Sequence, residues 1–393
     1  MMRSLNKNLT YLFMLNIAFG VSMQLINPLF PLFLEEIGAN SVQNATVISL
    51  GSLVATSLML PSGLLIDRVG KKTMLLSSAI VNSVAIFLLT LTKTWQHVTP
   101  VYIIFSAAGA LFVPARMAMI TEYSQSENRG VVFGLMNMAW PIAGIVSPLI
   151  SGYLIETTGW YWVFIFGTVV NAISIIPGLR LERKFAYKGR ENKSSIKDIF
   201  KPDILPTLFS FFGFHLLMTT ALGGVNLIIP LYLGDHYGLS PYQISWFFTA
   251  QSILNLLTQI PSGRLADKYG RKRFVLTCIM FIPVLYAAWH FIDNWVILLV
   301  LNSILFGLWS MTWPGTLALL SDSVPQDMIG AAFGVRMTGV RLGFTIGPII
   351  GSYFYTNYAP TSPFLAAAAI GLSGVIFAFF LRDTVYEPEK DSR

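Results

Sequence analysis

Four side chains in this 393-residue sequence lie where ionisable groups are rare: Arg116, His215, Arg336 and Arg341 each sit inside a long apolar run. Such a group costs about 2.5–3.5 kcal/mol even on lenient insertion scales, so it marks a functional candidate. His215 alone among them can change charge near neutral pH, because an unperturbed imidazole titrates at about 6.5. An interhelical hydrogen bond is the other role open to it. Arg341 lies near the middle of its run, too deep to snorkel easily, and its planar guanidinium suits a carboxylate or phosphate. Arg116 and Arg336 lie closer to the ends of theirs and can reach an interface by snorkelling. All 19 acidic residues fall in loops or near the ends of runs, which leaves no carboxylate at depth.

Neutral polar and aromatic residues extend this set. Gln24 and Asn27 lie in the first run, Asn137 and Trp140 in the fifth, and Thr219 and Asn226 follow His215 in the seventh. Gln251, Asn255 and Gln259 recur every four residues in the eighth, a spacing that puts them on one helix face. Asn302, Phe306, Trp309 and Trp313 in the tenth, at spacings of four, three and four, also lie on one face. A cavity lined by these groups, with several Met and few charges, suits an amphipathic organic solute better than a small ion.

The elements that must hold these residues are membrane helices. The chain is 54% hydrophobic and 11% charged, where a soluble domain carries about a quarter charged residues. Twelve apolar segments follow: 9–34, 44–66, 73–92, 98–121, 130–155, 160–181, 204–233, 241–263, 274–292, 295–320, 330–355 and 362–382. Each is near the ~20 residues that span hydrocarbon as a helix, and none shows the dyad alternation of barrel strands. The first is too long for a signal-peptide core and is expected to be retained. With the N-terminus inside, 22 of the 26 Lys and Arg lie in cytoplasmic segments. The net charge of +7 is thus a topology signal, and nucleic acid is not an expected partner. The single cysteine, Cys278, leaves no intrachain disulfide and no multi-cysteine metal site.

The chain also repeats itself. Pro61 to Lys72 reads PSGLLIDRVGKK and Pro261 to Lys272 reads PSGRLADKYGRK. Gly130, Phe133, Gly134, Pro148 and Tyr153 recur 200 residues later, and Pro31-Leu-Phe-Leu matches Pro230-Leu-Tyr-Leu. The expected fold is all-α and integral to the membrane: twelve transmembrane helices as two parallel six-helix repeats. The first bundle spans 1–181, a basic cytoplasmic linker 182–203, and the second bundle 204–393. An even number of spans per half gives both halves the same orientation.

On these residues the chain resembles the major facilitator superfamily. Gly63-x3-Asp67-Arg68-x-Gly70-Lys71-Lys72 is similar to that family's signature between its second and third helices. Gly263, Asp267, Gly270, Arg271 and Lys272 form a second copy. The resemblance implies a conformational latch between the halves. Asp67 would be its acid, with Glu122, Arg129, Arg116 and Arg336 as candidate partners and Asp267 and Asp322 as the weaker copy. Basic residues at such turns also follow from topology alone. Gly339, Gly343, Gly347, Pro348 and Gly351 resemble a family helix-packing pattern, but here it lies on helix 11, and helix 5 carries a degraded form. The family's arginine near the start of helix 4 is absent.

No phosphate loop, metal-spaced His/Cys set or extramembrane domain points to an enzyme. The expectation is a secondary active transporter working by alternating access, chiefly proton-coupled efflux of amphipathic or drug-like solutes. Transport of an organic anion through Arg341 is the alternative, and a non-transporting sensor or lipid-moving protein is the reading from another class. No cofactor is expected beyond an ion gradient. The partners would be a small organic substrate and membrane lipids, and the chain would act as a monomer in the plasma membrane with both termini cytoplasmic.

Overall fold

The computed structural model describes residues 7–125, 129–182 and 204–381, and every long element in it is a helix. In the first half these are α1 (Lys7–Ile26), α2 (Phe30–Glu36), α3 (Ser41–Val69), α4 (Lys71–Leu89), α5 (Trp95–Tyr123), α6 (Arg129–Asn137), α7 (Ala139–Thr158) and α8 (Trp160–Leu179). The second half has α9 (Leu205–Tyr237), α10 (Pro241–Tyr269), α11 (Arg271–Phe291), α12 (Trp295–Ser323), α13 (Ile329–Asn357) and α14 (Ser362–Phe379). All but the first residue of the expected linker lies outside the described residues.

Among the described residues, fourteen α-helices make twelve spans because two spans in the first half are each made of two helices. α1 and α2 together form the first, broken just before Pro31. α6 and α7 form the fifth and meet at Met138, which keeps helical dihedrals; the bond absent there is the one Pro141 cannot donate to the carbonyl of Asn137. The position equivalent to Pro141 is Arg341, which has an amide hydrogen, and α13 runs through without a break. Ten of the spans are long and apolar enough to cross a membrane by composition. The other two, α10 and α13, carry the Gln/Asn row and the Gly/Arg pattern, yet each has 29 residues. At 1.5 Å per residue that is about 43 Å, ample for the ~30 Å hydrocarbon core.

The repeat governs the packing. α1 packs on α7 and α8 as α9 packs on α13 and α14, and α5 packs on α3 and α4 as α12 packs on α10 and α11. Local punctuation repeats too. Gly70 and Gly270 join two helices with φ of 87° and 88°, where a side chain would be strained. Asn40 with Gln43 and Ser240 with Gln243 form capping boxes on α3 and α10.

The helix-11 glycines bring α13 against α9 at backbone distance. A Cβ at Gly339 would lie 2.7 Å from the carbonyl oxygen of Phe212, and one at Gly343 2.7 Å from that of Leu216. Built at Gly347 and Gly351, it would lie 2.7 Å and 2.8 Å from backbone atoms of Gly224. Among the ten most apolar spans α9 is the most enclosed: 83% of its apolar window is buried, against at most 56% in the other nine, and His215 is buried and faces protein rather than lipid.

The halves meet through α7 with α10 and α3 with α13. The hydrogen bonds between them lie toward the end opposite the basic turns. Ser41 and Thr356 hydroxyls are 2.7 Å apart, Tyr242 N donates to Glu156 Oε1 at 2.9 Å, and Thr249 Oγ1 donates to the Ile145 carbonyl at 3.1 Å. Near the basic end, a Cβ at Gly134 or Gly334 would meet nothing within 4 Å.

Candidate functional site

Each half buries one guanidinium in its core. In the first half α5 supplies Arg116, whose Nη1 donates to Asn16 Oδ1 at 3.0 Å and whose Nη2 donates to Asn137 Oδ1 at 3.4 Å. Trp140 Nε1 donates to the same Asn16 oxygen at 3.3 Å, and Asn16 Nδ2 donates to the Met136 carbonyl at 2.7 Å. In the second half α13 supplies Arg336, which is 1% exposed. Its Nε donates to His215 Nε2 at 2.9 Å, and its Cζ lies 4.5 Å from the centre of a Trp313 ring. Both arginines keep a buried nitrogen without a partner among the described residues, Nε of Arg116 and Nη2 of Arg336.

The hydrogen-bond roles fix the state of His215. Arginine has only donors, so Nε2 must accept, and the imidazole is then neutral with its proton on Nδ1. Nδ1 lies 2.9 Å from the carbonyl oxygen of Phe211, the acceptor that tautomer needs.

The two acceptors are positional equivalents. The one-residue shift that aligns Pro31 with Pro230 also aligns Asn16 with His215. Their arginines are not equivalent, since Arg116 corresponds to Thr316 and Arg336 to Met136. One guanidinium therefore arrives at the same acceptor position from a different helix in each half. Sequence reasoning missed Asn16 altogether, although the Pro31 alignment pointed to it.

Arg341 differs from both. It is partly exposed near the middle of α13, and its side chain has no hydrogen bond or ion pair among the described residues. Gln24 approaches the interface between halves, where a Cβ at Gly144 would lie 2.7 Å from its Nε2. Asn302 Nδ2 donates to Gln251 Oε1 at 3.4 Å, and Ser310 Oγ donates to Asn255 Oδ1 at 2.8 Å. Trp309 packs in the core of its half, lining a small pocket with Met218, Leu222, Ile282, Tyr286 and Leu305. Asn27 is exposed beside Tyr102, and Asn226 Oδ1 is buried without a partner among the described residues.

At the basic end the equivalent pairs again match. Lys71 Nζ lies 2.7 Å from Glu122 Oε2, and Arg271, its counterpart, bonds Asp322 and lies 2.9 Å from Asp267 Oδ1. Each pair ties helices within one half, so the contacts seen here are not the bridge between halves that the latch reading expects. The surroundings of Gly63, Asp67, Arg129 and Gly130 lie outside what the structure describes. Arg116 and Arg336, also expected in the latch, turn instead into the cores just described.

Comparison with known proteins follows the same lines. The Major Facilitator Superfamily model matches residues 12–223 and again 211–393. The multidrug resistance protein MdtG of Klebsiella pneumoniae (strain 342) is 24% identical over 383 residues, covering 95% of this chain and 92% of the relative. MdtG of Escherichia fergusonii is 23% identical over 373 residues, covering 92% and 90%. Among solved structures, a mutant of the nucleoside transporter NupG superposes with a TM-score of 0.80 at 15% identity, over 96% of this chain and 100% of that one. With two like halves, twelve spans and a family match running through both, this chain is a membrane transporter that belongs to the Major Facilitator Superfamily.

Proposed function

We propose that this transporter moves amphipathic organic solutes that carry a negative charge, by alternating access of a cavity between its two halves. The observation that carries the reading is Arg341, a guanidinium in mid-span with no counter-ion among the described residues. A charge at that depth is tolerated where it faces water or a ligand, and a planar fork of donors matches a carboxylate or phosphate. Arg116 and Arg336 also pair with neutral groups, so the described spans carry buried positive charge and no acid to balance it. The amphipathic half of the reading draws on the aromatic and amide lining and on the likeness to MdtG. In the cell we place the basic end in the cytoplasm of a plasma membrane, by the bias of Lys and Arg.

The likeness to multidrug resistance proteins favours a second reading, proton-coupled efflux of drug-like compounds whatever their charge. The two differ in what Arg341 does. Purified protein in proteoliposomes should carry an aromatic anion such as 2-naphthoate. Arg341→Gln should reduce that flux at least tenfold and Arg341→Lys should keep part of it. Equal flux of anions in wild type and Arg341→Gln would remove the anion reading and leave the second.

A further inference from the structure

The two buried guanidiniums differ in one respect that matters: one rests on an amide and the other on an imidazole. Asn16 accepts from Arg116 at 3.0 Å and cannot titrate. His215 accepts from Arg336 at 2.9 Å with the one lone pair that would otherwise take a proton.

We propose that His215 is the proton carrier of the transport cycle, that Arg336 and the proton occupy its Nε2 alternately, and that the protonated state recruits an anionic solute. In the conformation described, the guanidinium holds Nε2 and the imidazole is neutral. When Arg336 moves off, Nε2 takes up one proton from water and becomes imidazolium, while Nδ1–H stays bonded to Phe211. No other bond forms or breaks, and Arg336 remains charged throughout.

That step leaves two positive charges in one enclosed place. Among the described residues, the groups that face His215 offer nothing to balance them. On α13 these are Arg336 itself and Arg341 five residues further, with Tyr353 and Tyr355 beyond. α14 has no titratable residue between Ser362 and Phe379. α12 has only Asp322, at the basic end. α10 has Arg264, Asp267, Lys268 and Tyr269 at the basic end and Tyr242 at the far end. α2 has Glu35 and Glu36, also at the far end, as are Tyr232, Asp235, His236 and Tyr237 of α9 itself. Neutralisation must come from a bound anion, and the freed guanidinium, with Nη2 already unpartnered, is the group to hold it. Anion and proton then bind together, and by reciprocity each raises the other's affinity. The cargo would enter the cycle as a proton–anion pair.

The exclusion at Nε2 stands on the geometry alone, while the identity of the counter-charge rests on the anion reading above. The test therefore has two arms on the full-length protein in nanodiscs. In the first, nitrogen-15 histidine spectra follow the four histidines with pH. His215 should keep its neutral Nδ1–H form in wild type down to mild acid and should titrate in Arg336→Gln. A His215 that titrates alike in both proteins overturns the exclusion. In the second arm, proton uptake is measured as 2-naphthoate or its neutral analogue 2-naphthylmethanol is added. Wild type should take up about one proton per bound 2-naphthoate, with affinity rising about tenfold per unit fall in pH. His215→Asn copies the first-half arrangement and should keep Arg336 anchored and the protein folded, but bind without proton uptake. Equal uptake by both proteins overturns the coupling. Binding of the neutral analogue alone would sink the anion reading and the cargo pairing, and leave the first arm to decide the exclusion.

Discussion

Asn16 and His215 stand at equivalent places in the two halves, and each accepts a hydrogen bond from a buried arginine, at 3.0 Å from Arg116 and 2.9 Å from Arg336. Because the arginines come from non-equivalent helices, the acceptor position is the element the two halves share. A buried charge that loses its partner is expensive, so Asn16→Leu should cost about 2–3 kcal/mol of stability. His215→Leu should cost a similar amount, and His215→Asn less than about 1 kcal/mol, since an amide already does this work in the first half. Thermal unfolding of the three variants in one detergent checks the order, and a His215→Asn protein as unstable as His215→Leu would refute the equivalence.

Close approach of α13 to α9 gives a second expectation. Alanine at Gly347 would press a methyl to 2.7 Å from the backbone nitrogen of Gly224, which cannot move aside as a side chain does. Overpacking of this kind costs about 1–3 kcal/mol. Gly334→Ala in the same helix meets nothing within 4 Å and should instead gain about 0.5–1 kcal/mol from helix propensity. Opposite signs for the two variants in a melting experiment support the ridge as a packing device. Equal signs would show that the helix can shift freely.

Much of this architecture is legible in the amino-acid sequence. Ten of the twelve spans follow from apolar length, and the other two and the halves from residues that recur 200 positions apart, because lipid allows few alternatives to a helix. The rarity of charge in such runs singles out Arg116, His215, Arg336 and Arg341. The pairing of His215 with Arg336 is not legible there, since the two are 121 residues apart on different helices and periodicity assigns no partners. Pro141 and Arg341 show the same limit within the repeat. A substitution at one position of the pattern removes a helix hydrogen bond in one half and, in the other, sets a charge without a partner among the described residues.

Within the basic-end turns, Lys71–Glu122 and Arg271–Asp322 tie helices inside each half. Such part-exposed pairs contribute about 0–1 kcal/mol, so Glu122→Gln should hardly move the melting temperature. If the pair positions the turn for the transport cycle, Lys71→Glu should lower flux severalfold and the exchange Lys71→Glu with Glu122→Lys should restore it. A double variant as slow as the single one would separate the ion pair from function.

The opposite end gives the last expectation, a dependence on pH. Glu35 on α2 and Asp235 on α9 come from opposite halves, and Tyr355 Oη donates to Asp235 Oδ2 at 2.6 Å. Partial burial, and then the charge of Asp235, hold the Glu35 carboxyl above its ordinary value of 4.5. Glu35 presents its carboxylate at the surface, so the effect is modest. A carboxyl whose pKa is raised in one conformation binds protons more tightly there, so protonation favours that conformation. The contribution is complete below the ordinary carboxylate value and is lost as pH rises through the raised one. Acid should therefore favour the form in which the halves meet at this end. Spin labels on Val42→Cys and Tyr358→Cys, both at exposed positions, would report the distance between halves as pH rises from acid to neutral. The short-distance population should fall over that range in wild type and stay level in Glu35→Gln. A Glu35→Gln protein that keeps the wild-type pH profile would show that another group sets it.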